Sequence, residues 1–109
     1  MSDILLVMTS LPDAASAEKL ARQLIVERAA ACVNQLAPCT STYRWKDNIE
    51  TATEVPLLIK TTRAAYPRLE KLIHEAHPYE LPEIIAVLVT AGLPSYLDWV
   101  DDETTTLKE

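Results

Sequence analysis

Apolar residues fall along this chain in two kinds of pattern, short unbroken runs and stripes with helical spacing. Ile4-Leu5-Leu6-Val7-Met8 is an unbroken run, the mark of a strand covered on both faces, and Pro12-Asp13 ends it. Ala17, Leu20, Ala21, Leu24 and Ile25 then recur at i, i+3, i+4, i+7 and i+8, with Glu18, Lys19, Arg22, Gln23 and Glu27 off the stripe. That spacing predicts an amphipathic helix. Asp13 suits its N-cap, because a carboxylate accepts from the first free backbone N–H groups.

Ala29-Ala30-Ala31 leads into Cys32–Leu36, and Pro38 interrupts before the chain resumes as Thr40–Trp45. There the side chains alternate, with Ser41, Tyr43 and Trp45 on one side and Thr40, Thr42 and Arg44 on the other. Lys46-Asp47-Asn48 reads as a turn, since Asp and Asn tolerate left-handed backbone. The return through Ile49–Glu54 enters a second apolar run, Val55-Pro56-Leu57-Leu58-Ile59. Pro56 cannot donate to a ladder, so it marks a bulge or the point where pairing on one side stops. Thr61 or Thr62 caps a second helix with Leu69, Leu72, Ile73 and Ala76 on one face. Pro67 makes its first turn irregular and Pro78 ends it. Glu83–Val89 reads as the last strand, Gly92 and Pro94 break it, and Tyr96–Val100 as a short closing helix. The acidic, threonine-rich end is expected to fray.

The order β-α-β-β-α-β predicts a single domain over residues 1–109, an α+β ferredoxin-like sandwich with a long hairpin and a short C-terminal helix. Its first and third strands, the two with apolar runs, lie centrally. The second strand becomes an exposed edge carrying Tyr43 and Trp45, and such an edge must be covered. No element of the chain is left to cover it, so an oligomer is expected.

Composition narrows the partners. With 49% hydrophobic and 24% charged residues the chain is ordinary globular material, and no apolar run reaches membrane-spanning length. The start lacks the basic region and cleavage site of a secretory signal, which points to the cytoplasm. A net charge of −6 and scattered Lys and Arg leave no basic face for nucleic acid. Cys32 and Cys39 fit neither a C-x-x-C nor a zinc pattern and read as free thiols. The one glycine excludes a Gly-rich phosphate loop.

Candidate chemistry concentrates in His77-Pro78-Tyr79-Glu80-Leu81-Pro82-Glu83-Ile84-Ile85. His74 and His77 at i, i+3 followed by two carboxylates are donors a hard or borderline cation accepts. The bland alternatives are a solvated His74 and a structural His77 at a helix end. His77, Lys60, Glu80, Glu83 and Tyr79 are also acid–base types, but no spacing ties them into a triad or nucleophile motif, and no enzymatic activity is expected. Cys32, between Ala31 and Val33, reads as a small buried hydrophobe or a reactive thiol. Tyr43 and Trp45 suit interface anchors or a stacking surface. Lys60 is expected to pair with Glu80 or Glu83, within a subunit or across an interface.

Taken together, Pro12-Asp13, Ala30-Ala31-Cys32-Val33-Asn34, Tyr43-Arg44-Trp45, Leu58-Ile59-Lys60-Thr61-Thr62, His77 to Ile84 and Tyr96-Leu97-Asp98-Trp99 resemble the CutA family of divalent-cation-tolerance proteins over nearly the whole chain. The resemblance implies a ferredoxin-like subunit in a homotrimer built by pairing long hairpins. It also implies copper, or another divalent cation, bound by a soft ligand at the end of the first strand and a His-His pair before the Pro-Tyr. Only His77 of that pair is present, since Ala76 precedes it, and Met8 or Thr9 stands near the place of the strand-one cysteine. Met8 and Cys32 are the remaining soft candidates beside His77. The expected ligand cleft lies between subunits and is lined by Lys60, His77, Tyr79, Glu80, Glu83, Tyr43 and Trp45. The alternative is a regulatory or structural scaffold like the PII signalling trimers, without a dedicated metal and without their nucleotide-binding glycines.

Overall fold

The structure, a computed structural model, describes residues 3–106. Residues 1–2 and 107–109, on which part of the leader and fraying expectations rest, lie outside the described residues. The elements are β1 (Ile4–Leu11), α1 (Ala14–Val26), β2 (Cys32–Gln35), β3 (Cys39–Trp45), β4 (Asn48–Thr62), α2 (Tyr66–Ala76), β5 (Ile85–Leu88) and α3 (Pro94–Glu103). The sheet runs β2-β4-β1-β5 with every neighbour antiparallel, and β3 pairs with the outer half of β4. This α+β arrangement has the expected ferredoxin-like order, with the two apolar runs at its centre.

Local signals act as read, the cap of the second helix excepted. The Ser16 N–H donates to the Asp13 carboxylate at 2.7 Å and starts α1. Arg28, at φ 56°, turns the chain out of α1 in the left-handed region, and the Ala29 N–H reaches back to the Leu24 carbonyl. The threonine cap expected for α2 is corrected: its N-cap is Ala65, without a side-chain cap bond, and the Thr62 hydroxyl accepts from the Ala65 N–H at 3.1 Å only in the turn that precedes the helix.

Pro56 sits where ladder pairing on one side gives way. Gln35 faces Leu57 and Cys39 faces Glu54, so Leu36–Pro38 span only Pro56 and Val55 and leave one residue bulged. The Pro56 carbonyl still accepts from the Leu36 N–H, and its nitrogen, lacking a hydrogen, faces the bulge. On the other side Pro56 stands opposite Ser10, and β1 keeps pairing as far as Leu11 opposite Val55.

The core forms where α1 and α2 cover one face of the sheet. Leu5, Val7 and Leu11 of β1, Val55, Leu57 and Ile59 of β4, Leu20 and Leu24 of α1, and Leu69 and Ile73 of α2 are buried together. Each such side chain contributes about 1.5–3 kcal/mol by leaving water.

Three further expectations are corrected. Burial alternates along β1, so its apolar run is not covered on both faces; Leu6 and Met8 lie half-buried on the face away from α1 and α2. On that second face α3 seals only the end near Ile4, where Val100 packs against Ile4 and Ala31. The last strand is shorter than Glu83–Val89, because residues 83 and 84 leave the ladder. Thr104, inside the stretch expected to fray, is buried and hydrogen-bonded to the Val100 carbonyl. Among the described residues no helix is long and apolar enough to cross a membrane.

Leu57→Ala, which empties a fully buried site between β1 and the helices, is expected to cost about 2–5 kcal/mol in urea unfolding. A loss below about 1 kcal/mol, the scale of an exposed substitution, would contradict this core.

Candidate functional site

The long hairpin closes on Lys46 and Asp47, at φ 50° and 68°, the mirror-image two-residue turn that matches strand twist. It carries β3 and the outer half of β4 beyond the helices and stretches the molecule to 50 Å. Register places Cys39 opposite Glu54, Ser41 opposite Ala52 and Tyr43 opposite Glu50. Ser41, Tyr43, Trp45, Ala52 and Glu54 therefore share one face of the hairpin.

Against that face lies the loop that follows α2. His77 caps the helix in extended backbone and Pro78 prevents its continuation. Between hairpin and loop opens a groove of about 860 Å³ lined by Tyr43, Trp45, Glu54, Tyr79, Glu80, Leu81 and Glu83 among others. Five of the seven residues expected in the cleft line it. Glu54 had not been singled out; its place follows only once the hairpin register is known.

The groove is acidic and aromatic. Burial first, then the charge and hydrogen bond of the Glu54 carboxylate, push the Tyr79 hydroxyl above its usual 10.0, with Tyr43 and Asp13 adding to the shift. Lys46 Nζ lies 3.7 Å from a Glu80 oxygen, an exposed pair that contributes little. The same ammonium stands 5.6 Å from the Trp45 ring centre.

His77 borders the groove without opening into it. Its ring is buried, with Nε2 2.6 Å from the Ser10 carbonyl oxygen and Nδ1 3.2 Å from the Tyr79 N–H. Tyr79 also lies against the imidazole, 4.7 Å between ring centres. Lys60 does not meet Glu80 or Glu83 within the chain. It projects from the open sheet face, where its ammonium donates to the Asn34 side-chain carbonyl. Cys32 and Met8 share that face: the Cys32 thiol lies 4.0 Å from Asn34 Oδ1, and burial first, then Cys32, pushes the Tyr96 hydroxyl above its usual 10.0. His74 is exposed on α2.

The soft-metal site that the resemblance implies does not fit the residues of one chain. Both ring nitrogens of His77 have protein partners, while Met8 and Cys32 belong to a different surface. Among the described residues no three His, Cys, Asp or Glu are gathered as a metal site would need.

Residues 5–103 match the family described as CutA1 divalent ion tolerance protein. The divalent-cation tolerance protein CutA of Thermus thermophilus is 40% identical over 98 residues, which cover 90% of this chain and 95% of that one. The crystal structure of CutA from Xylella fastidiosa is 47% identical with a TM-score of 0.92, over 95% of this chain and 100% of the other. A structure from Archaeoglobus fulgidus, described as a periplasmic divalent cation tolerance protein CutA, is 30% identical with a TM-score of 0.90, over 94% and 99% of the two chains. The chain spans only about half the length of the related mouse, human and bovine proteins, at 52%, 55% and 54%.

The Glu54 carboxylate acting on the Tyr79 phenol has a measurable consequence. A phenol raised by folding stabilises the fold below pH 10.0, and that contribution disappears as pH rises through the folded value. Glu54→Gln is expected to bring the Tyr79 titration partway back toward 10.0, burial holding the remainder. Superimposable NMR titrations of the two proteins would contradict the influence of Glu54 on this phenol.

Proposed function

The chain belongs to the CutA1 divalent ion tolerance family, and on that premise we propose that it acts in divalent-cation tolerance as a non-enzymatic homotrimer. The unit is the single 1–109 domain, its place is the cytoplasm, and its ligand enters the groove between hairpin and loop at a subunit boundary. One observation carries this reading: Tyr43, Trp45, Glu54, Tyr79, Glu80 and Glu83, from segments distant in sequence, converge on one groove. A cation there meets carboxylate oxygens, which suit a hard or borderline ion better than copper(I). One subunit gathers too few donors, so a neighbour completes the set.

The trimer draws support from the sheet. Ile85 and Val87 are exposed at 48% and 47% on the face that α1 and α2 leave bare, beside Leu6, Met8 and Leu58. Contiguous apolar surface of this kind belongs to an interface more often than to water. The free thiols of Cys32 and Cys39 suit a reducing compartment. The scaffold reading draws on His77, whose ring nitrogens both lie against backbone groups of the protein itself.

Sedimentation equilibrium at micromolar concentration is expected to give three times the 12.1 kDa subunit mass; a monomer would end the trimer proposal. Calorimetric titration of zinc and copper separates ligand from scaffold. Binding weakened about tenfold or more by the Glu54→Gln, Glu83→Gln double variant, a loss of about 1.4 kcal/mol or more, supports the groove. Undetectable binding to the wild-type trimer leaves the scaffold.

A further inference from the structure

His77 invites assignment as a metal ligand because of its residue type, yet its surroundings use it differently. The Val89 N–H donates to the Ile4 carbonyl, so the polar groups of Ile4 point toward β5. Backbone direction alternates along an antiparallel strand, and Ser10 therefore presents its carbonyl to the same side. There β5 has already ended. Its first residue, Ile85, faces Met8, and the same register continued would place Glu83 opposite Ser10. The Ser10 carbonyl is thus an acceptor that the sheet itself does not satisfy, and His77 Nε2 lies 2.6 Å from it.

The other nitrogen is committed as well. Nδ1 lies 3.2 Å from the Tyr79 backbone nitrogen, whose N–H can only donate. Nδ1 is then the acceptor, and the proton of the neutral ring sits on Nε2, directed at the Ser10 oxygen. The ring takes the place that backbone from Glu83 would hold in a longer strand. By doing so it keeps the segment after Pro78 out of the ladder, and Tyr79 lines the groove together with Glu54.

We infer that His77 is a latch and not a metal ligand: its imidazole fastens the loop after α2 to the end of β1, diverting that segment from the sheet and so forming one wall of the groove. Ligation at Nε2 would release the Ser10 carbonyl, and ligation at Nδ1 would release the Tyr79 N–H. Either leaves a backbone group unpaired beside a histidine that is only 8% exposed. The latch is a positioning device, independent of whether the groove takes a cation.

Nitrogen-15 NMR of the metal-free protein tests it. The His77 ring is expected as the Nε2–H tautomer at neutral pH, and its nitrogens are expected to stay in place when zinc is added. The Tyr79 amide is expected to exchange about tenfold faster in His77→Ala, the order expected for one lost hydrogen bond. His77→Gln, whose amide can still donate to the Ser10 carbonyl, should hold the loop better than alanine. An Nδ1–H tautomer, or a zinc-induced coordination shift of a His77 nitrogen, would overturn the assignment. Should His77→Ala fail to fold, the wild-type spectra alone decide. Because the tautomer is read without metal, its outcome stands apart from that of the groove titrations.

Discussion

Everything in this fold hangs on one strand. The 15 residues of β4 pair with β1 on one side and with β2 and then β3 on the other. Its inner half is the centre of the sheet, where Leu57 and Ile59 are fully buried under the helices. Its outer half has no helix above it and depends on β3 alone. Pro56 marks the change, and it is tolerated there because the nitrogen that cannot donate faces the bulge between β2 and β3. A proline with its nitrogen toward β1 would have broken the central ladder.

Two surfaces follow from that division. The outer half of β4 aims Glu54 into the groove, alongside Tyr43 and Trp45 from β3. The inner half aims Leu58 and Lys60 at the bare face of the sheet, alongside Leu6, Met8 and Cys32. The residues expected in one cleft are therefore spread along one side of β4, some at the groove and some on the bare sheet. The proposed trimer would bring them together again, with the Lys60 ammonium, whose one acceptor among the described residues is the neutral Asn34, meeting a carboxylate of a neighbour. A charge covered at an interface requires such a partner.

Much of this was legible in the sequence because local chemistry decides it. Asp13 caps, the stripe of α1 faces inward, Pro78 ends α2, and Pro56 marks one-sided pairing, each for reasons contained within a few residues. What escaped depends on register or on distant groups. Glu54 belongs to the groove only because the turn at Lys46-Asp47 sets it opposite Cys39. Lys60 misses Glu80 and Glu83 because it lies six residues along β4 from Glu54, on the same side of the strand but about 20 Å further in. The early departure of Glu83 and Ile84 from the last strand accompanies a histidine ring that meets a carbonyl in β1, a contact no run of apolar residues encodes. The unbroken runs in β1 and β4 overstated their coverage, since half of their side chains face a surface that one chain leaves open.

The central claim is that β4 is one strand with two separately supported halves. Native-state hydrogen exchange along β4, followed across protein concentrations, tests it most directly. The account predicts that the Leu57, Ile59 and Thr61 amides exchange only through global unfolding. The amides from Ile49 to Glu54 should open at lower free energy, with protection that rises as subunits associate. A single exchange free energy along the whole strand, unchanged by concentration, would contradict it.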